Sequence, residues 1–305
     1  MAPGRYEHRN IVGGIGHNLP QEAPDAFAKS IMDVASWGLA SATTLIRTNT
    51  MNTLSRFKTC AVAAALLVAS TVGAGSTRPS VVLVHGAFAD GSSWAQVIPL
   101  LQAQGVKVIA IQNPLTSLED DVVAAQRAIA NQPGKVVLVG HSWGGTVITQ
   151  AGADPKVAAL VYVAAFAPDV GQSTTQLSKG YPSPEGSAFL STDSAGFLAL
   201  SEEGVRKHFA QDLPASRAAT MAAAQGPIRG SAFDQAVTQA AWKTRPSWYV
   251  LTENDHMIPP AQQRDMAQRV GAKVIPLKTS HVPQEAQPHR VADVILDAVR
   301  SVTEP

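Results

Sequence analysis

Residues 136 to 150 read VVLVGHSWGGTVITQ. Val136 to Val139 form the short branched apolar run that suits a strand buried on both faces. Gly140-His141-Ser142-Trp143-Gly144-Gly145 interrupts it, and helix-compatible residues follow at once. A strand that turns sharply into a helix needs small residues beside its tip, because the backbone there is strained and closely approached. Gly140 and Gly144 supply that room. Ser142 is then expected at the apex, its hydroxyl exposed at a helix N-terminus whose free N–H groups favour developing negative charge. Glycine is too common for G-x-S-x-G to carry this alone; the strand before it and the helix after it do.

Outward from this turn the chain alternates two periods. Apolar runs occur at 81–84, 106–111, 136–139, 159–164, 248–251 and 273–277. Helical patterns such as SWAQVIPLLQAQG and SLEDDVVAAQRAIANQPG separate most of them, the second opening on an expected capping box from Thr116 to Glu119. Such alternation predicts an α/β fold: about six mostly parallel strands with helices on both faces, since parallel strands need crossovers and both sheet surfaces must be covered. Between about 168 and 243 no convincing strand is legible, and this insertion reads as a helical lid over the C-terminal strand edge. Residues 80–305 are thus one domain carrying a lid.

A serine hydroxyl is a weak nucleophile until a base takes its proton, so a histidine oriented by a carboxylate is required. In chain order Ser, acid, His, the acid should follow one later strand and the histidine the next. After SWYVL comes Thr252-Glu253-Asn254-Asp255, and after KVIPL comes Lys278-Thr279-Ser280-His281. His281 is the expected base, ahead of His256, whose neighbour Asp255 is too close in sequence to converge with it. Asp255 is the preferred acid, with Glu253 and then Asp169 as alternatives. For the oxyanion of an acyl-transfer intermediate two backbone N–H donors are needed. Trp143, after the nucleophile, and Ala87, after His85-Gly86 at the end of the first strand, are placed to provide them. Phe88 and His141, beside these groups, are the expected substrate contacts.

The motifs VHGAFADGSSW, VGHSWGG, LTENDHMIPP and SHVPQEAQP give residues 80 to about 302 a resemblance to the α/β-hydrolase superfamily. Within it they resemble the compact group of plant methyl esterases, hydroxynitrile lyases and bacterial esterases. The resemblance implies Ser142 as nucleophile, His281 as base, Asp255 as orienting acid and the amides of Ala87 and Trp143 as oxyanion hole. It implies a carboxylic-ester hydrolase acting through an acyl-enzyme, on a small ester with an apolar group, and no metal or organic cofactor. A hydroxynitrile lyase or perhydrolase using the same triad, and a non-catalytic binder of the same fold, are the alternative readings. A three-glycine run after the first strand, as in bulky-substrate esterases, is absent, since His85 is followed by one glycine.

The 305 residues carry 24 Lys plus Arg against 23 Asp plus Glu, a net charge of +1, which lacks the basic footprint of a nucleic-acid binder. The single cysteine, Cys60, excludes an intramolecular disulfide and a thiolate cluster. Residues 51–74 read as a secretory signal peptide: a methionine, Arg56 and Lys58, an apolar run from Ala61 to Ala69, then Val72-Gly73-Ala74. The run is shorter than the roughly 20 residues of a membrane span, so no stable membrane anchor is expected. These features predict a periplasmic or secreted protein whose translation starts at Met51, with residues 1–50 an upstream or disordered segment.

Overall fold

The computed structural model describes residues 21, 23–35 and 78–303. The expected signal peptide at 51–74 and most of the segment before it lie outside these residues. Helix α1 (Pro24–Ala35) belongs to a different unit from the rest of the described chain. It falls within residues 1–50, which the sequence reading leaves as an upstream or disordered segment.

From residue 80 the chain builds a six-stranded, wholly parallel sheet in the order β2-β1-β3-β4-β8-β9. Its strands are β1 (Ser80–Val84), β2 (Val108–Ala110), β3 (Val136–His141), β4 (Val157–Val163), β8 (Ser247–Thr252) and β9 (Lys273–Leu277). Each matches an apolar run read from the sequence. Side chains alternate between faces with period two. Val82, Val84, Leu138, Leu160 and Tyr249 enter one core with helices α3 (Leu118–Ala130), α4 (Trp143–Ala151) and α6 (Pro260–Val270). Val81, Leu83, Val139, Val161 and Val250 enter the other, with α2 (Ile98–Ala103) and α7 (Pro288–Ser301). With both faces covered, the central strands are apolar through most of their length, which is why they read as continuous runs.

Helix α3 starts one residue later than expected. Its N-cap is Ser117, whose hydroxyl accepts from the Asp120 N–H at 3.0 Å.

The insertion corrects the expectation of a purely helical lid. It holds a small antiparallel sheet, β5 (Leu190–Thr192), β6 (Phe197–Leu200) and β7 (Ile228–Arg229), beside helix α5 (Ala215–Ala224). The strands have two to four residues, too few to display a period. The turn between β5 and β6 did carry a signal, Asp193 to Gly196: the Asp193 carboxylate accepts from the Ala195 and Phe197 N–H groups and Gly196 has φ 81°.

No helix among the described residues is long and apolar enough to cross a membrane.

Candidate active site

The strand order reverses between β1 and β3: the chain leaves β1 for one edge of the sheet and from β3 builds toward the other. Open α/β sheets form a crevice at the C-terminal ends of such a pair. Ala87 and Ser142 follow β1 and β3 at this point.

Ser142 has φ 53° and ψ −121°, a strained conformation for a residue with a side chain, and sits between β3 and α4. The turn is possible only because its neighbours lack Cβ atoms. A Cβ on Gly140 would lie 2.5 Å from the Gly144 carbonyl oxygen, and one on Gly145 2.2 Å from that of Phe166. The packing role of Gly145 was not anticipated.

Across 139 residues of sequence, His281 Nε2 lies 2.8 Å from Ser142 Oγ. His281 Nδ1 donates to Asp255 Oδ2 at 2.8 Å, so Nε2 is left to accept the serine proton. All three side chains are buried. Asp255 accepts more than the imidazole. The Thr252 hydroxyl (2.7 Å) and Gln263 Nε2 (2.8 Å) donate to Oδ2, and the Met257 and Ile258 N–H groups (2.8 and 2.9 Å) donate to Oδ1. Burial pushes this carboxyl up, but the His281 charge and hydrogen bond, the Ile258 N–H and the Thr252 hydroxyl outweigh it. The group is held below its ordinary value. Of the alternatives, Glu253 is exposed and Asp169 is paired with Lys243 at 2.5 Å, so neither faces His281.

Among the described residues, the backbone N–H groups of Ala87 and Trp143 have no protein hydrogen-bond partner. The loops that carry them are braced from outside. His85 is neutral with its proton on Nδ1, which donates to the Gly86 carbonyl, while Nε2 accepts from the Asn113 N–H at 2.9 Å. Burial keeps its pKa low. Asn113 Nδ2 in turn donates to the His85 carbonyl. Trp143 is held through its side chain, whose Nε1 donates to buried Asp121 at 2.7 Å. Burial raises the Asp121 carboxyl to about 6, against the pull of Trp143 and of the Leu115 N–H.

His141 departs from its expected role as a substrate contact. It is fully buried, with its ring among those of Trp94, Phe209 and His281, and Nε2 donates to the His281 carbonyl at 2.8 Å. Burial, with the His281 charge beside it, lowers its pKa to about 3. It supports the His281 loop from behind. Phe88 and Ala87, in contrast, line a cavity of about 120 Å³ that opens onto Ser142 and His281. Phe166, Leu190, Phe209, Phe233, Met257 and Ile258 give this cavity apolar walls.

The lid's second half is pinned to the loops bearing the triad. Asp212 accepts from the Ser280 N–H at 2.8 Å and Gln211 donates to the Asn254 carbonyl at 2.7 Å. Arg217 on α5 pairs through two nitrogens with the buried Glu285 carboxylate.

A nucleophilic hydroxyl, an imidazole whose Nε2 accepts from it, an anchored carboxylate and two unpaired N–H groups beside an apolar cavity are the parts that acyl transfer requires. The chain belongs to the alpha/beta hydrolase family, whose profile matches residues 81–294. A protein described as probable hydrolase R7, from a Phoma species, is 27% identical over 243 residues, spanning 72% of this chain and 98% of its own. A pyrethroid hydrolase of Sphingobium wenxiniae is 26% identical over 261 residues, spanning 72% and 88%. The crystal structure of a pyrethroid hydrolase from Sphingobium faniae JZ-2 has a TM-score of 0.64 at 24% identity, over 73% of this chain and 98% of that one. At that identity it shows the shared fold.

Proposed function

We propose that this hydrolase is a serine esterase that cleaves small carboxylic esters with an apolar group through an acyl-enzyme. The observation that carries this reading is the continuous relay Ser142 Oγ, His281 Nε2, His281 Nδ1, Asp255 Oδ2, with 2.8 Å at both hydrogen bonds, at the floor of an apolar cavity. Ser142 Oγ attacks the ester carbonyl carbon as its proton passes to His281 Nε2. The carbonyl oxygen takes up negative charge and is met by the N–H groups of Ala87 and Trp143. Asp255 steadies the imidazolium without taking its proton. The proton then goes to the departing alkoxide oxygen, the C–O bond breaks, and an ester of Ser142 remains. Water activated by His281 attacks that ester, releasing the acid and restoring the hydroxyl. Phe88 and the aromatic walls favour an apolar acyl or alcohol group by excluding water around it.

Hydrolysis of p-nitrophenyl esters of increasing chain length, with fluorophosphonate labelling of wild type and Ser142→Ala, tests the reading. Turnover and labelling that vanish together in the variant support it. Labelling without ester turnover, with release of cyanide from a cyanohydrin, moves the assignment to lyase chemistry on the same triad. Absence of both moves it to ligand binding.

The signal-like segment 51–74 supports export, a reading that rests on sequence alone. N-terminal mass spectrometry of the native protein checks it: a mature chain starting near residue 75 is expected, and recovery of peptides from the first 46 residues overturns it.

A further inference from the structure

Three ligand-type side chains outside the triad converge where the lid meets the acid loop. Glu185 opens a 3-10 turn of the lid, His208 lies in a π-helical turn, and His256 directly follows Asp255. His208 Nδ1 and His256 Nδ1 are 3.2 Å apart, and Glu185 Oε2 is 3.5 Å from each. We propose that these three side chains form a site for one zinc-type divalent cation that fastens the lid to the acid loop.

The triangle of donor atoms carries the argument. A tetrahedral ion with bonds of about 2.0–2.1 Å holds its ligand atoms about 3.3–3.4 Å apart, close to all three edges found here. Hydrogen bonding explains the arrangement less well. One imidazole can donate to the other, but a carboxylate oxygen 3.5 Å from both nitrogens is beyond ordinary N–H···O range. Two imidazole nitrogens with one carboxylate oxygen select zinc over calcium or magnesium, which take oxygen ligands. The Glu185 side chain is exposed while that of His208 is largely enclosed, so an ion has a route from solvent on the Glu185 side.

The ligands are held by contacts of their own. The Gly186 N–H donates to the His256 carbonyl at 3.1 Å, which ties the Glu185 turn to the acid loop. The Phe189 ring packs against His208 with centroids 4.7 Å apart and sets its orientation. π-turns of the kind that carries His208 recur at functional sites. Each ligand also lies within two residues of the cavity wall, at Ser187, Phe209 and Met257. A cation bound here joins three separate pieces of that wall, and it does so whether or not Ser142 performs ester chemistry.

Calorimetric titration of EDTA-dialysed full-length protein with ZnCl2 tests the site, and tetrahedral Co(II) absorption reports its geometry. One equivalent is expected, with a zinc-dependent rise in melting temperature. His208→Ala/His256→Ala should weaken binding at least about 100-fold and abolish that rise. Glu185→Gln, on an exposed side chain, should weaken it about tenfold with unchanged melting of the apo-protein. Should the double variant fail to fold, Glu185→Gln decides. His281→Ala should keep the equivalent, which separates this site from the triad. No stoichiometric zinc in wild type, undiminished affinity in Glu185→Gln or in the folded double variant, or loss of binding in His281→Ala overturns the proposal.

Discussion

The rim of the parallel sheet and the lid above it are built on different terms. At the rim, Ser142, Asp255 and His281 leave the ends of β3, β8 and β9, strands locked by parallel pairing and by cores on both faces. The lid has three strands of two to four residues, and discrete polar pins such as Arg217 with Glu285 and Asp212 with the Ser280 N–H join it to the rim. The rim therefore supplies reaction geometry, while the lid supplies cavity shape. Changes at the rim should strike kcat. Lid changes should strike KM and substrate preference.

The largest effect is expected for Ser142→Ala, a loss of about 10⁵-fold or more in kcat with the melting temperature little altered, read by steady-state ester kinetics and calorimetry. Asp255→Asn should cost about 10⁴-fold in kcat, because an amide cannot both accept from His281 and satisfy the four other donors around it. Equal losses for conservative lid substitutions would break the division of labour.

Asp121 sharpens it through pH. Its folded-state pKa is raised to about 6, so between about pH 4 and pH 6 the native state holds a proton that the unfolded chain has released. Its contribution to stability is fully present below the unfolded pKa and is lost as pH rises through about 6. Asp121→Asn has no such proton. The stability of wild type relative to the variant should therefore fall by about 2 kcal/mol from pH 4 to pH 7, measured by urea unfolding across that range. A difference independent of pH would remove Asp121 as a strained brace of Trp143.

Arg217→Ala leaves the buried Glu285 carboxylate without its partner. It should cost about 2 kcal/mol of stability and raise KM more than it lowers kcat. The smallest effect is expected for Phe233→Ala, which enlarges the apolar cavity and should move the preferred acyl chain longer by a few carbons, with a several-fold change in kcat/KM on a chain-length panel.

Much of the rim was legible because its signals are local. Short apolar runs, glycines at a turn and chemistry-bearing residues just past strand ends all lie within a few positions of each other in the chain. The braces were harder to read, though traces existed. Leu118, Asp121, Val122, Ala125 and Ile129 share one buried face of α3, so the period marks Asp121 as a carboxylate turned inward. Gln263 likewise falls on the face of Met266, Ala267 and Val270. Neither pattern names the partner, because Trp143 and Asp255 reach these helices only through tertiary packing. His141 was misassigned for the same reason: adjacency to Ser142 in sequence says nothing about which side of the turn a ring occupies.

The positions of the strands along the chain, the sharp turn at Ser142 and the residue types of the relay follow from the chain itself, since hydrophobic period and glycine sterics act over a few residues. Packing across tens to hundreds of residues is what brings Thr252 and Gln263 onto Asp255, encloses His141 and sets Glu185 beside two imidazoles. Those contacts depend on which surfaces meet once both cores close, a matter of shape and burial that no local period encodes.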